Sequence, residues 1–251
     1  MRLDRVTITG ADNSVRPLDL ARLTDTHPFV EWGILVSRSQ TDANGPRWPS
    51  RAWISDLQAL KIQRAGTDEH PIKLALHVCG RWVRELLMGE NAVPLDLLEA
   101  FDRVQLNFHA DGSPANYRLL REALPSLGER QIIFQIDGAM GKRHLQEMWR
   151  LDPEGELDLV PLFDVSHGRG VLPESWPSPI APGVYHGYAG GLGPVGLTAQ
   201  LDHIDRAAGS SRVWVDMETN VRSHDDRTFD LEKVRLVLEA AQHHIAAPAA
   251  T

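Results

Sequence analysis

One cysteine, four lysines and no apolar run long enough to cross a bilayer set the first limits on this 251-residue chain. Cys79 stands alone, so no internal disulfide framework can hold the fold, and a reducing, cytoplasmic setting is expected. The lysines are Lys61, Lys73, Lys142 and Lys233, and Lys73 begins a predicted strand, away from where such strands present catalytic groups. A Schiff-base mechanism therefore has no well-placed amine. No Gly-x-Gly-x-x-Gly or Walker-type loop occurs, which excludes the usual dinucleotide and nucleoside-triphosphate sites. His-x-His and His-Glu-x-x-His spacings are also missing. A net charge of −8 speaks against non-specific attraction to nucleic acid. Met1-Arg2-Leu3-Asp4-Arg5 lacks the apolar core of a secretory signal, so neither a membrane nor a nucleic acid is an expected partner.

The rest of the composition is that of a globular protein, 42% hydrophobic and 24% charged. Short strand-like runs alternate with helical ones. Strands are predicted at 6–10, 29–37, 73–80, 103–109, 131–138, 159–165, 184–190 and 212–218. Helices are predicted at 18–23, 51–64, 81–88, 116–124, 144–149, 197–208 and 230–243. The last has the clearest apolar stripe, formed by Leu231, Val234, Val237, Leu238 and Ala241. Eight strands alternating with seven helices over roughly 250 residues indicate an α/β fold, a single (β/α)8 barrel. The barrel is expected to span 1–245, with 246–251 as a frayed tail. Ser166-His167-Gly168-Arg169-Gly170 and Pro173-Glu174-Ser175-Trp176-Pro177 are rich in helix breakers, so the sixth helix is predicted to be short or missing and replaced by a long loop.

In such a barrel the C-terminal strand ends converge on one mouth. Here they carry Thr9, Asp12, Ser37, His77, Cys79, Asn107, His109, Gln135, Asp137, Asp164, Asp216 and Glu218. Period-2 alternation places His77 with Cys79, Gln105 with Asn107 and His109, and Gln135 with Asp137 on common strand faces, and those faces are assigned to the barrel interior. The turn Ala189-Gly190-Gly191-Leu192-Gly193-Pro194 lies between a strand and a helix, where backbone amides can approach an anion. A small phosphorylated or anionic ligand is the expected partner, bound by a monomer or a homodimer.

The order of these segments resembles phosphoribosylanthranilate isomerase. Ala189-Gly190-Gly191-Leu192-x-Pro194 followed by Val215-Asp216 looks like that family's end. Val104-Gln105-Leu106-Asn107 is similar to its fourth strand, and Leu162-Phe163-Asp164 before Gly168-Arg169-Gly170 to its sixth. Gly45-Pro46-Arg47-Trp48 is similar to the segment after its second strand. The resemblance implies an Amadori-type rearrangement of a phosphorylated sugar derivative without a cofactor. It makes Asp164 the general acid and Arg47 a positioning group. Thr9 stands where the family has its catalytic cysteine, and Glu218-Thr219-Asn220 replaces a Ser-Ser-Gly turn.

A base must therefore come from elsewhere, and Cys79 or Asp137 is the candidate. Gly190 and Gly191 are read as the anion cradle, with Asn107, His109, Arg169 and Asn220 as further ligand contacts. Trp48 and Trp176 are candidates for stacking on a planar ring. Two other functions are compatible with the residues. One is a metal-dependent hydrolase or epimerase drawing on His77, His109, His167 and His186 with Asp137, Asp164 or Glu218. The other is a barrel that binds a ligand without turning it over.

Overall fold

The computed structural model describes residues 1–43, 45–90, 93–107, 116–164, 166 and 170–246. Its strands are β1 (Arg2–Thr9), β2 (Val30–Ser37), β3 (Lys73–Cys79), β4 (Arg103–Leu106), β5 (Gln131–Ile136), β6 (Leu159–Asp164), β7 (His186–Ala189) and β8 (Arg212–Met217). They pair in parallel in sequence order, and β8 returns to β1 to close the barrel. Around it lie α1 (Pro17–Thr26), α2 (Arg51–Arg64), α3 (Arg81–Leu87), α4 (Leu95–Leu98), α5 (Tyr117–Ala123), α6 (Ala139–Leu151), α7 (Leu197–Ala208) and α8 (Leu231–Gln242). The chain is a (β/α)8 barrel.

Local sequence explains most helix starts. Ser50 caps α2 by accepting from the Trp53 amide, Asn116 caps α5 at Leu119, and Asp230 caps α8 at Glu232 and Lys233. Pro17 opens α1 at a position where no amide hydrogen is needed.

Strand alternation separates two apolar regions. Outward residues such as Val6, Ile8, Trp32, Ile34, Leu76, Val104, Phe134, Val213 and Val215 join the helices in the main core. Inside the barrel a smaller cluster, Ile133, Val160, Leu162, Ala189 and Trp214, fills the half contributed by β5 to β8. The half contributed by β1 to β4 is polar. There Glu31, fully buried, accepts from Arg5 Nη1 at 2.9 Å, Thr7 Oγ1 at 2.8 Å and Arg103 Nη1 at 3.0 Å. Burial works against this charge, but Arg103, Arg5 and Thr7 together hold the carboxyl below its usual range. The Arg103 guanidinium then lies 4.1 Å from the Trp214 ring centroid, which joins the polar half to the apolar one.

Several elements depart from the sequence expectation for identifiable reasons. β1 begins at Arg2, because Arg5 and Thr7 point inward as partners of Glu31 and are not a polar approach to the strand. α6 starts before Gly141, which reads as a breaker in sequence. A Cβ there would meet Gln135 O and Ile136 Cα at 2.9 Å, so the glycine lets the helix pack closely on β5. The short α4 lacks a strong periodic signal.

As expected, no helix stands between β6 and β7 among the described residues. Trp176 covers that outer wall. Its Nε1 donates to Gln200 Oε1 at 3.0 Å, and its ring meets Tyr188 edge-on at 5.7 Å. Residues 247–251 of the predicted tail lie outside the described residues.

Gly33 on β2 is where packing and site meet. A Cβ there would fall 2.1 Å from Thr9 Oγ1 and 2.9 Å from His77 Nε2. We expect Gly33→Ala to destabilise the fold by about 1–3 kcal/mol in urea unfolding, the usual cost of overpacking. Thr9→Ala in the same chain should recover part of that loss; an unaltered midpoint in the single variant would contradict the packing.

Candidate functional site

At the C-terminal ends of the strands a cavity of about 380 Å³ opens. Its wall takes residues from β2 to β8, including Ser37, His77, Cys79, Gln105, Gln135, Asp164 and Asp216, and from the loops Arg47, Trp48, Gly190, Gly191, Glu218 and Asn220. Of the faces assigned inward from alternation, His77 with Cys79, Gln105 with Asn107, and Gln135 line it, while Asp137 is not among the described lining residues.

Two carboxyls dominate one side. Asp164 on β6 and Asp216 on β8 are both in register with Ala189 on the strand between them. Two strand spacings put their backbones about 10 Å apart, with only a methyl group intervening. Their surroundings differ. Asp164 accepts from Gln135 Nε2 at 2.6 Å and from Ser166 N and Oγ at 3.1 and 2.8 Å, so both its oxygens present lone pairs to donors. Asp216 accepts from Thr9 Oγ1 at 2.7 Å. Burial pushes the Asp216 carboxyl up to about 8, outweighing the Thr9 hydrogen bond, and the nearby charges of Glu218, Glu31 and Asp164 push the same way. Its surroundings thus favour the protonated form of Asp216 at neutral pH.

Across the cavity, His77 is buried and held neutral, its pKa lowered to about 3 mainly by desolvation. Cys79 donates to the His77 carbonyl at 3.6 Å and accepts from Asn107 Nδ2 at 3.0 Å, while Asn107 Oδ1 accepts from Gln105 Nε2 at 2.8 Å. Burial pushes the Cys79 thiol up to about 12, although Asn107 works the other way. The base role offered for Cys79 on sequence grounds meets a thiol that stays protonated at pH 7.

At the rim, Arg47 is the cation among the described lining residues. Each of its three guanidinium nitrogens already serves a carboxylate: Nη1 binds Glu218, and Nε and Nη2 bind Asp226 at 3.1 and 2.7 Å. Its backbone amide donates to Asp12 Oδ2 at 2.6 Å, with φ at 63°. Buried Arg222 braces the same cluster through Asp12, Asp226 and the Gly10 carbonyl. Burial raises the pKa of Glu218 and Arg47 counters it, while Asp164 and Asp226 add to the rise. Arg47 therefore acts first as a strut between loops.

The glycine turn also has an internal reason. A Cβ on Gly191, whose φ is 68°, would meet Leu172 N at 2.2 Å and Val171 C at 2.4 Å, so the backbone approaching it is the chain's own 171–172 segment. Asn220 Nδ2 donates to the Gly191 carbonyl at 2.8 Å. Gly190, Gly191 and Asn220 all line the cavity, as the sequence suggested.

The remaining candidates divide. Asn107 and Trp48 line the cavity, whereas Trp176 is buried in the outer wall. Asp137, just past β5, is buried and is not among the described lining residues. His186 is turned to the outer face of β7, with Nε2 3.1 Å from the Tyr188 hydroxyl and its ring against Phe163. His109, His167 and Arg169 lie outside the described residues. No three His, Cys, Asp or Glu side chains gather as a metal-ion set among the described residues. The raised pKa of Asp216 depends on burial and on neighbours from other strands, so its place at a strand end is the signal that the sequence carries.

Asp216 also makes stability depend on pH. Its folded pKa, about 8, exceeds the ordinary 3.8, so its favourable contribution is lost as pH rises through about 8. Buried His77, with its pKa lowered, acts in the opposite sense below about 6.5, and Cys79 enters only above about 9. Between pH 7 and 8.5, denaturant unfolding should show the wild type losing stability by at most about 1.4 kcal/mol per pH unit. Asp216→Asn should flatten that slope; parallel curves would show that Asp216 is not protonated.

None of the family models compared with the chain matches it, and no curated protein sequence does. Among solved structures it is similar to a protein from Chromobacterium violaceum ATCC 12472, provisionally described as spore coat polysaccharide biosynthesis protein E. The two share 13% identity with a TM-score of 0.56 over 97% of this chain and 75% of the other. At that identity the likeness is one of fold, and it agrees with the (β/α)8 barrel.

Proposed function

We propose that the chain is a cofactor-free isomerase that moves a proton within a phosphorylated sugar derivative. The observation that carries this reading is the Asp164–Ala189–Asp216 row, where a carboxyl that holds its proton at pH 7 and one that offers lone pairs flank the same small residue. Isomerisation of a sugar needs that combination. Asp216 gives its proton to the ring or carbonyl oxygen as the C–O bond opens or the carbonyl polarises. Asp164 takes the proton from the adjacent carbon. The oxygen that received the first proton keeps it as a hydroxyl; the hydroxyl on the adjacent carbon gives its proton to Asp216 as that carbon becomes the new carbonyl, and Asp164 delivers its proton to the former carbonyl or aminal carbon, with no net proton change.

This assignment keeps the reaction implied by the resemblance to phosphoribosylanthranilate isomerase but moves the acid from Asp164 to Asp216. Thr9, at the position of that family's cysteine, then orients the acid and is not itself the base. The anionic end of such a substrate is assigned to the Gly190–Gly191 rim, since the nitrogens of Arg47 are engaged by Glu218 and Asp226. The description of the structural neighbour, polysaccharide biosynthesis, is in keeping with sugar chemistry.

Solvent exchange tests the proton step whatever product is formed. Aldose and ketose phosphates and N-ribosyl amines are incubated with the protein in D2O, and deuterium at the carbon next to the carbonyl or aminal centre is read by NMR. Asp164→Asn and Asp216→Asn should each slow exchange by about 10²- to 10⁴-fold. Wild-type exchange should fall as pH rises past about 8, because the acid loses its proton. No exchange across the panel, or undiminished exchange in both variants, would remove the proposal.

A further inference from the structure

Three buried polar atoms of cavity-lining residues have no hydrogen-bond partner among the described residues: His77 Nε2, Gln105 Oε1 and Gln135 Oε1. Their side chains are 1%, 4% and 6% exposed. A polar atom left unpaired at that depth costs about 1–3 kcal/mol, so these atoms call for a partner that the described residues do not supply.

The polarity of both glutamines is fixed by groups that can play only one part. At Gln135 the neighbour is Asp164, whose oxygen accepts, so the amide nitrogen must turn to it and the carbonyl oxygen is left over. At Gln105 the anchor is further away. The His77 backbone carbonyl can only accept, so the Cys79 thiol donates to it. The sulfur then accepts from Asn107 Nδ2, Asn107 Oδ1 accepts from Gln105 Nε2, and Gln105 Oε1 is again left over. Burial keeps that thiol protonated, as the chain of donors requires. Each glutamine ends in an acceptor with no donor.

We propose that Gln105 Oε1 and Gln135 Oε1 form a deep subsite for the hydroxyl-bearing end of the ligand, each accepting from one hydroxyl, with His77 Nε2 as a third contact. The inference deepens the sugar reading and rests on it for the choice of ligand class. A hydroxyl both donates and accepts, and so suits two carbonyl oxygens beside an imidazole. An ionised phosphoryl group offers acceptors alone and is repelled there by the glutamine oxygens and Asp164. The subsite therefore sets orientation: polyol inward, anion at the Gly190–Gly191 rim. Cys79 serves it as the relay that points Gln105.

Binding is the readout. Ribitol, D-ribose and D-xylose are titrated calorimetrically into the full chain, and inorganic phosphate is added as competitor. At least one uncharged probe should bind, phosphate should not displace it, and Gln105→Met and Gln135→Met should each weaken it about tenfold or more. Thermal melting checks folding, and Gln105→Asn, which withdraws the amide by one methylene, is the gentler substitution with the same expected direction. The proposal is overturned if none of the three probes binds, if the folded glutamine variants bind as the wild type does, or if phosphate competes. Exchange and polyol binding measured together on the wild type separate the two readings. Polyol binding that survives in a protein without any exchange activity counts against the isomerase alone, whereas exchange activity with glutamine-independent polyol binding counts against the subsite alone.

Discussion

Glu31 is the charge around which the barrel interior is arranged. It lies beneath the cavity, wholly buried, and persists as a carboxylate only because Arg5, Arg103 and Thr7 reach it together. Removing one partner of such a group leaves a buried charge uncompensated, which costs about 3–5 kcal/mol. The cluster does more than fill space. Arg103 spans from Glu31 to the face of Trp214, so one guanidinium ties the polar strands β1 to β4 to the apolar strands β5 to β8. The negative charge also acts on the layer above, where it adds to the forces that keep a proton on Asp216. The floor of the barrel thereby adds to the electrostatics of its mouth, behind the larger effect of burial.

Above that floor the cavity has two walls of different character. On one, Asp164 and Asp216 flank Ala189, the first accepting from Gln135 and Ser166, the second accepting from Thr9 with its pKa raised by burial. On the other, His77, Cys79, Asn107 and Gln105 form a hydrogen-bonded series whose direction is fixed by a backbone carbonyl. Titratable groups facing neutral amides make a site that can handle protons on one side and hydroxyls on the other. The barrel itself does not dictate this, since the same architecture hosts many reactions; the specificity lies in these side chains.

Much of this was legible in the sequence because strand alternation is a strong signal. His77 with Cys79, Gln105 with Asn107, and the position of Asp164 all follow from period-2 patterning and strand ends. The lack of a helix between β6 and β7 among the described residues was legible from Pro and Gly. What escaped depends on contacts between distant strands. Asp216 is polar in sequence whatever its proton does, and only its burial, with Glu218, Glu31 and Asp164 nearby, raises its pKa against the Thr9 hydrogen bond. Gly191 has the local signature of an anion turn, yet the backbone that needs its missing side chain is residues 171–172. Gly141 suggests a break, but it allows a helix to lie close on a strand. Glycine marks close approach without saying what approaches.

The absent helix between β6 and β7 bears on how the molecule loosens. Elsewhere the barrel wall is sheathed by helices whose amides are locked in their own turns. Over β7 the cover is Trp176, held by one bond to Gln200, with Tyr188 anchoring the chain through the Pro177 carbonyl. Fewer protected amides and fewer packed turns make such a segment a unit that opens before the rest of the domain. Its first residues are also those that press on Gly191 and Thr219 at the cavity edge. The same segment is thus both the thin part of the wall and an edge of the cavity, so loosening of one would carry the other.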